Sequence, residues 1–192
     1  GIGDTPYVID SNNIDRYPLM KPYSGPHDVG ITSLTTSKTV IGQGYTLTIN
    51  ASILNYGNNT ENVNIRIYAN DSLIHETEVS IITRNTATIS FTLDTTDLTI
   101  GLYNISAYAT PVPGEIDTSD NALINCWVTV TIQGDIDGDF DVDIYDVVKI
   151  TGIYGSNKDD PEFNPNSDLD DDGTITIYDV VRCTSHYGDT YP

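Results

Sequence analysis

Oxygen-bearing side chains recur at every second position in two stretches of this chain. The first runs through Asp135, Asp137, Asp139, Asp141 and Asp143 and closes at Asp146. The second runs through Asp168, Asp170, Asp172, Thr174 and Thr176 and closes at Asp179, an offset of 33 residues. The repeat continues from Val147-Val148-Lys149 to Val180-Val181-Arg182 and ends at Tyr154-Gly155 against Tyr187-Gly188. Carboxylates packed this closely repel one another strongly unless a cation sits among them. Calcium, a hard cation, takes about six to eight oxygens, which only such a cluster supplies. A single acidic stretch reads equally well as a solvated turn. Two in register, each followed by an apolar helical pattern, read as paired cation loops.

The spacing is that of a twelve-residue EF-hand loop: carboxylates at positions 1, 3 and 5, a backbone carbonyl at 7, a direct or water-mediated ligand at 9, and a closing ligand at 12 from the first helical turn. Two calcium ions are expected. The first loop carries acids at 1, 3, 5, 9 and 12 but Phe140 at position 6, where the turn calls for a positive φ and normally glycine. The second has Gly173 there, with Thr176 at position 9 reaching the ion through water. Charge favours the first loop and backbone geometry the second, so which binds tighter stays open.

The formal net charge of the 192 residues is −20. Residues 134–192 hold 15 of the 28 acids against Lys149, Lys158 and Arg182 only. So negative a segment repels nucleic acid and anionic membranes, and its recurring apolar residues argue against disorder. No run of about 18 apolar residues is present to span a membrane. The opening Gly1-Ile2-Gly3-Asp4, with neither Met nor signal peptide, reads as a fragment of a longer protein. Asn50, Asn58, Asn70 and Asn104 head glycosylation sequons, about as many as this composition produces by chance. Sparse Lys, abundant Thr and Asn and β-patterning favour an extracellular or cell-surface location.

The elements that position the loops follow from periodicity. Residues 1–26 show none, contain four prolines, and read as a linker or strap from an upstream domain. Residues 27–132 alternate: Tyr45-Leu47-Ile49-Ala51-Ile53, Val63-Ile65-Ile67-Ala69, Ala87-Ile89-Phe91-Leu93, Tyr103-Ile105-Ala107-Ala109 and Ile124-Cys126-Val128-Val130-Ile132 each share one face. With shorter candidates near Val29 and Val79, this predicts a mainly β protein whose larger domain is a seven-stranded immunoglobulin-like sandwich. Residues 133–192 form a small helical unit of two loop-helix motifs.

Three resemblances bear on function. The opening His27-Asp28-Val29-Gly30-Ile31, the turn Asn55-Tyr56-Gly57-Asn58-Asn59-Thr60, and the stretches 101–105 and 115–121 resemble the cell-adhesion-related (CARDB-type) domain of bacterial and archaeal surface proteins. That resemblance implies an adhesive or spacer module without chemistry. Gly3-Asp4-Thr5-Pro6-Tyr7 and Asp15–Met20 resemble the segment closing β-helix domains of microbial surface proteins. Neither Thr131–Gly134 nor Asn164–Ser167 can form an entering helix, so each loop has a helix on one side only. Residues 134–189 therefore resemble a dockerin, with the linker Asp160–Pro165 of archaeal kind. The resemblance implies two antiparallel helices, one of which docks on a cohesin domain. Cellulosomal dockerins carry Ser/Thr at loop positions 10 and 11; here these are Ile144-Tyr145 and Ile177-Tyr178. Ile144 and Ile177 are expected in the core; Tyr145 and Tyr178 are open between packing and partner contact, with Lys149 and Arg182 as further contact candidates.

Other residues carry less. Cys126 and Cys183 either form a disulfide between the units or stay as buried thiols. Trp127 faces outward and is a candidate to cover a domain interface. Glu115, Asp117 and Asp120 share a loop that holds a third cation or is simply solvated. His27, His75 and His186 are scattered, and no nucleophile, phosphate-loop or paired-acid motif is found. An enzyme is the reading with least support. The first expectation is a calcium-gated anchoring module; rivals are a structural clamp without a partner, and a carbohydrate-binding module stacking sugar on Tyr56, Tyr68 and Tyr108.

Overall fold

The computed structural model describes residues 7–10, 13–15 and 26–192. Strands β1 (Tyr7–Asp10) and β2 (Asn13–Asp15) pair antiparallel, with Val8 opposite Ile14. The strap expected over 1–26 thus contains a hairpin; the rest of that expectation lies outside the described residues.

Eight strands follow: β3 (Val29–Thr36), β4 (Val40–Gly42), β5 (Thr46–Asn55), β6 (Glu61–Ala69), β7 (Ser72–Ile81), β8 (Thr86–Asp94), β9 (Gly101–Ala109) and β10 (Ala122–Thr131). One sheet has the order β4-β10-β9-β6-β7 and the other β3-β5-β8. The seven strands expected become eight because the chain leaves the three-stranded sheet after β3 and crosses to the other as β4, parallel to β10. Three residues are too few for alternation to register in sequence. Leu47, Ile49 and Ile53 of β5 share one buried core with Val63, Ile65 and Ile67 of β6, Ile105 of β9 and Val128 and Val130 of β10. Full burial of such side chains stabilises by about 1.5–3 kcal/mol each.

The last strand departs from simple alternation. Its register against β9 shifts between Ile124 and Cys126. The bulge turns Ile124 outward, 65 % exposed rather than inward, while Leu123 packs on the core. Trp127 faces out as alternation requires.

Beyond β10 the chain forms α1 (Ile144–Gly152), a 3-10 turn at Pro165–Ser167, and α2 (Ile177–Thr184). Helices this short are unstable alone and depend on caps and packing. Their core pairs Ile136 with Leu169, Val142 with Ile175 and Ile150 with Cys183, each at the repeat offset. Cys183 therefore occupies the place of an isoleucine, and burial pushes its thiol up to about 12. Both cysteines are free, Cys126 lying 3.5 Å from the Thr36 hydroxyl in the sandwich. Of the two alternatives it is the free thiols that the structure has, with Cys183 buried in the core of the helical unit and Cys126 half-buried in the sandwich.

The two units meet around the residues leading into β4 and the end of β10 rather than at Trp127. Lys38, 6 % exposed, donates to the carbonyl oxygen of Asp168 and pairs with Asp171 at 2.8 Å. The amides of Thr39 and Val40 donate to Asn166 Oδ1 at 3.0 and 3.2 Å. Gly138 lies against Val40 and Thr129, where a Cβ would stand 3.2 Å from Val40 Cγ2. Removing one partner of a buried charge-assisted bond costs about 1.5–3 kcal/mol. Lys38→Ala is therefore expected to lower the stability of the helical unit by about 2 kcal/mol in urea unfolding followed at 222 nm. An unchanged midpoint would show that the contact carries nothing.

Candidate metal centre

Each loop is wired to its helix by its first and last acids. Asp135, 2 % exposed, accepts from Gly138 N at 2.7 Å, Phe140 N at 2.9 Å and the Thr131 hydroxyl at the end of β10. Asp168 repeats this with Asp172 N at 3.2 Å and Gly173 N at 2.9 Å. Asp146 accepts from Ile136 N at 2.7 Å and Asp143 N at 2.9 Å. Asp179 accepts from Leu169 N and Thr176 N, both at 2.7 Å. Asp143 and Thr176 cap the helices, accepting from the amides of Tyr145 and Tyr178 in full capping boxes. One carboxylate thus joins loop entrance to helix start, which fixes position 12 relative to position 1.

The result is a convergence of carboxylates. One oxygen each of Asp135, Asp137 and Asp146 lies within 4.8 Å of the others, as do those of Asp168, Asp170 and Asp179. Asp141, Asp143 and Asp146 form a further group in the first loop. Asp137 Oδ1, Asp141 Oδ1 and Asp170 Oδ1 are buried with no hydrogen-bond partner. Asp139 and Asp172 stand apart, each accepting from the amide two residues on, Asp141 N at 3.2 Å and Thr174 N at 2.8 Å. Burial first, and then neighbouring acids such as Asp146 and Asp179, hold Asp135, Asp168 and Asp170 above the usual carboxylate range. The donors are all oxygen, which suits a hard cation such as calcium.

The turns use the same backbone with different residues. At loop position 4, Gly138 has φ +79° and Asp171 φ +58°; at position 6, Phe140 has φ +74° and Gly173 φ +83°. Phe140 thus adopts the left-handed region that position 6 requires. Its ring lies 6.5 Å from that of Tyr191, and its carbonyl accepts from Tyr191 N at 2.8 Å. Phe140→Gly is expected to be more stable than Phe140→Ala by about 1 kcal/mol, because both lose the ring and only alanine keeps the strain. Paired thermal melts of the helical unit check the order.

The repeats are also crossed. Gly155 N donates to Ile175 O at 2.8 Å and Gly188 N to Val142 O at 2.8 Å. Ile175 N donates to Ser156 O, and Val142 N to Asp189 O. Bridges join Asn157 to Thr174 and Asp141 to Thr190. The segment after each helix thus closes the other loop, so both loops form together.

No family model matches this chain, and no curated protein does. Among solved structures, the CARDB domain of a Pyrococcus furiosus protein in complex with di-metal ions is similar at 20 % identity and a TM-score of 0.49, over 58 % of this chain and 99 % of that one. A domain of a cell-surface protein from Methanosarcina acetivorans is similar at 25 % identity and a TM-score of 0.44, over 55 % and 92 %. A β-glucosidase from Listeria innocua matches at 16 % identity and a TM-score of 0.41; this chain spans 19 % of its length. These are likenesses of shape alone.

Outside the loops, the helices expose matching faces. Ile144 and Ile177 are each 52 % exposed, Tyr145 and Tyr178 each 67 %, with Val148, Val181, Tyr154 and Tyr187 beside them. Ile144 and Ile177 are thus not core residues. The third helical position must aim Asp146 or Asp179 into its loop, so the buried face begins there and the preceding residues turn to solvent. Lys149 folds back on Asp137 at 2.8 Å, while Arg182 holds Asp170 down in part. Lys38 and Thr131 escape sequence reasoning, because their partners lie across the units or just outside the repeat.

Among the described residues, none of the histidines joins the carboxylate groups of the loops. His27 pairs with Glu61 at 2.7 Å, His75 stacks on Phe91, and His186 meets Asp189 at 3.0 Å. Tyr68 and Tyr108 lie on neighbouring strands of the five-stranded sheet, and Tyr56 sits just after β5. Trp127, 51 % exposed, instead lines an open depression with Ile124, Asn70, Asp71, Asn104 and Ser106. Among the described residues, no helix is long and apolar enough to cross a membrane.

Proposed function

We propose that this chain is a non-catalytic, extracellular, calcium-binding anchoring module of a surface protein. The sandwich acts as the adhesion-type spacer, and residues 133–192 act as a dockerin-like unit that holds two calcium ions and docks on a cohesin-type partner. One observation carries the reading. Two loops 33 residues apart bring the acids of positions 1, 3 and 12 within 4.8 Å, and each leaves a buried carboxylate oxygen without a partner. Asp135, Asp137, Asp143 and Asp146 serve one ion, and Asp168, Asp170, Thr176 and Asp179 the other, with Asp141 and Thr174 at the carbonyl position. Asp139 and Asp172 join by releasing an exposed amide each. The matched apolar faces around Tyr145 and Tyr178 support docking, since a unit serving only itself has no use for exposed aromatics there.

A second reading, a calcium-stabilised clamp with no partner, is favoured by the buried Lys38 bridging the sandwich to the second loop. Capture of surface and secreted proteins with calcium and with chelator separates the two. A partner retained only with calcium, then rebound in pure form and lost on Tyr145→Ala with Tyr178→Ala, supports docking. Retention indifferent to calcium and to both tyrosines would sink it and leave the clamp.

A further inference from the structure

A second group of oxygen ligands lies far from the loops, at the start of β10. That strand is ten residues long, so its two ends stand about 30 Å apart. Asp28 immediately precedes β3, and Asp120 and Asn121 immediately precede β10. The backbone ties them, with Ile31 N donating to Asp120 O at 2.8 Å. Gly30 shares a face of the strand with Asp28. A Cβ there would stand 2.3 Å from Asp120 Oδ2, so the missing side chain makes room for that carboxylate.

Among the described residues, three oxygens at this end of the sandwich accept no hydrogen bond. Asp28 Oδ1, Asp120 Oδ1 and Asn121 Oδ1 are all buried without a hydrogen-bond partner. Asn121 is 1 % exposed, and its amide nitrogen is committed to Ala109 O and Glu115 Oε1, both at 3.2 Å. Its carbonyl oxygen is therefore a fixed, buried acceptor at the edge of the acidic group. Glu115 is already engaged, accepting from Val29 N at 2.9 Å and Val112 N at 2.7 Å. Asp117 adds negative charge to the same end and helps hold Asp28 above its usual range, behind burial, Asp120 and Glu115; Arg84 opposes them. An unpaired buried acceptor is costly, and three together with no donor call for a cation. Among the described residues no three carboxylates meet within 4.8 Å here as they do in the loops, and the buried amide of Asn121, bound to Glu115 through its nitrogen, offers a neutral oxygen beside the acids.

We propose that Asp28, Asp120 and Asn121 form a third divalent-cation site, of calcium type by its all-oxygen donors. It staples the entrance of β3 to the turn leading into β10, and it stands independently of the loops.

Calorimetric titration of the intact, chelator-treated chain with calcium chloride tests it, alongside Asp28→Asn and Asp120→Asn. The expected result is one equivalent bound beyond those of the loops and lost in either variant. In the unsubstituted chain, calcium is also expected to shift the amide resonances of Gly30, Ile31 and Asn121. Stoichiometry untouched by both substitutions, with those amides unmoved, overturns the site. Binding that vanishes with Asp28→Asn while the loops take up nothing sustains this site and refutes the loop reading, so the two failures are distinguishable.

Discussion

Asp146→Ala is expected to unfold the helical unit and leave the sandwich folded. The carboxylate is 1 % exposed and accepts from Ile136 N and Asp143 N, so alanine strands two amides around a buried hole. Hydrogen bonds to a charged group are each worth about 1.5–3 kcal/mol, a loss of about 3–6 kcal/mol before any ion is considered. A unit of this size with six buried apolar side chains has little more than that to lose. Because the repeats are crossed through Val142 and Ile175, failure of the first loop takes the second with it. Loss of the 222 nm helical signal, with the dispersed strand amides of Ile49 and Ile65 retained in a nitrogen–proton spectrum, is the expected pattern. A folded helical unit would show that the hydrogen bonds of Asp146 are dispensable.

If the loops hold calcium as proposed, its removal has the next largest expected effect. A ligand at about 100 times its dissociation constant stabilises by about 2.7 kcal/mol per site, so two loops together approach the stability of the unit. Chelation is expected to lower the helical melting transition steeply, by the coupling of metal binding to folding. The pH dependence separates ion from protein. Burial raises Asp135 and Asp168 above their unfolded value, so the stability these groups contribute is present below the ordinary carboxylate pKa. It is lost as pH rises through their folded values. The chelated protein is therefore expected to melt at a higher temperature near pH 4, close to the ordinary carboxylate value, than near pH 7. With calcium the order reverses, because protons compete for the same oxygens. Thermal melts at both pH values, with and without calcium, check the crossing. Parallel curves would remove the carboxylates from the account.

Much of this was legible in the residues themselves. Period two placed Leu47, Ile49 and Ile53 in the core, and the offset of 33 residues aligned two sets of loop acids and two helices. Both are local signals: a strand's faces and a loop's spacing are set within a dozen residues. What the tertiary structure decided lies where local rules compete or distant residues meet. The bulge at Ile124–Cys126 reversed one face, and β4 was too short to show a period. The need to aim Asp146 and Asp179 inward exposed Ile144 and Ile177. Phe140 accepted a glycine's backbone, with Tyr191 against its ring. Lys38 met Asp168 across 130 residues, and Ile31 at the start of β3 met Asp120 just before β10. Composition carries no trace of such meetings, since they depend on where the chain returns and not on what surrounds a residue in sequence.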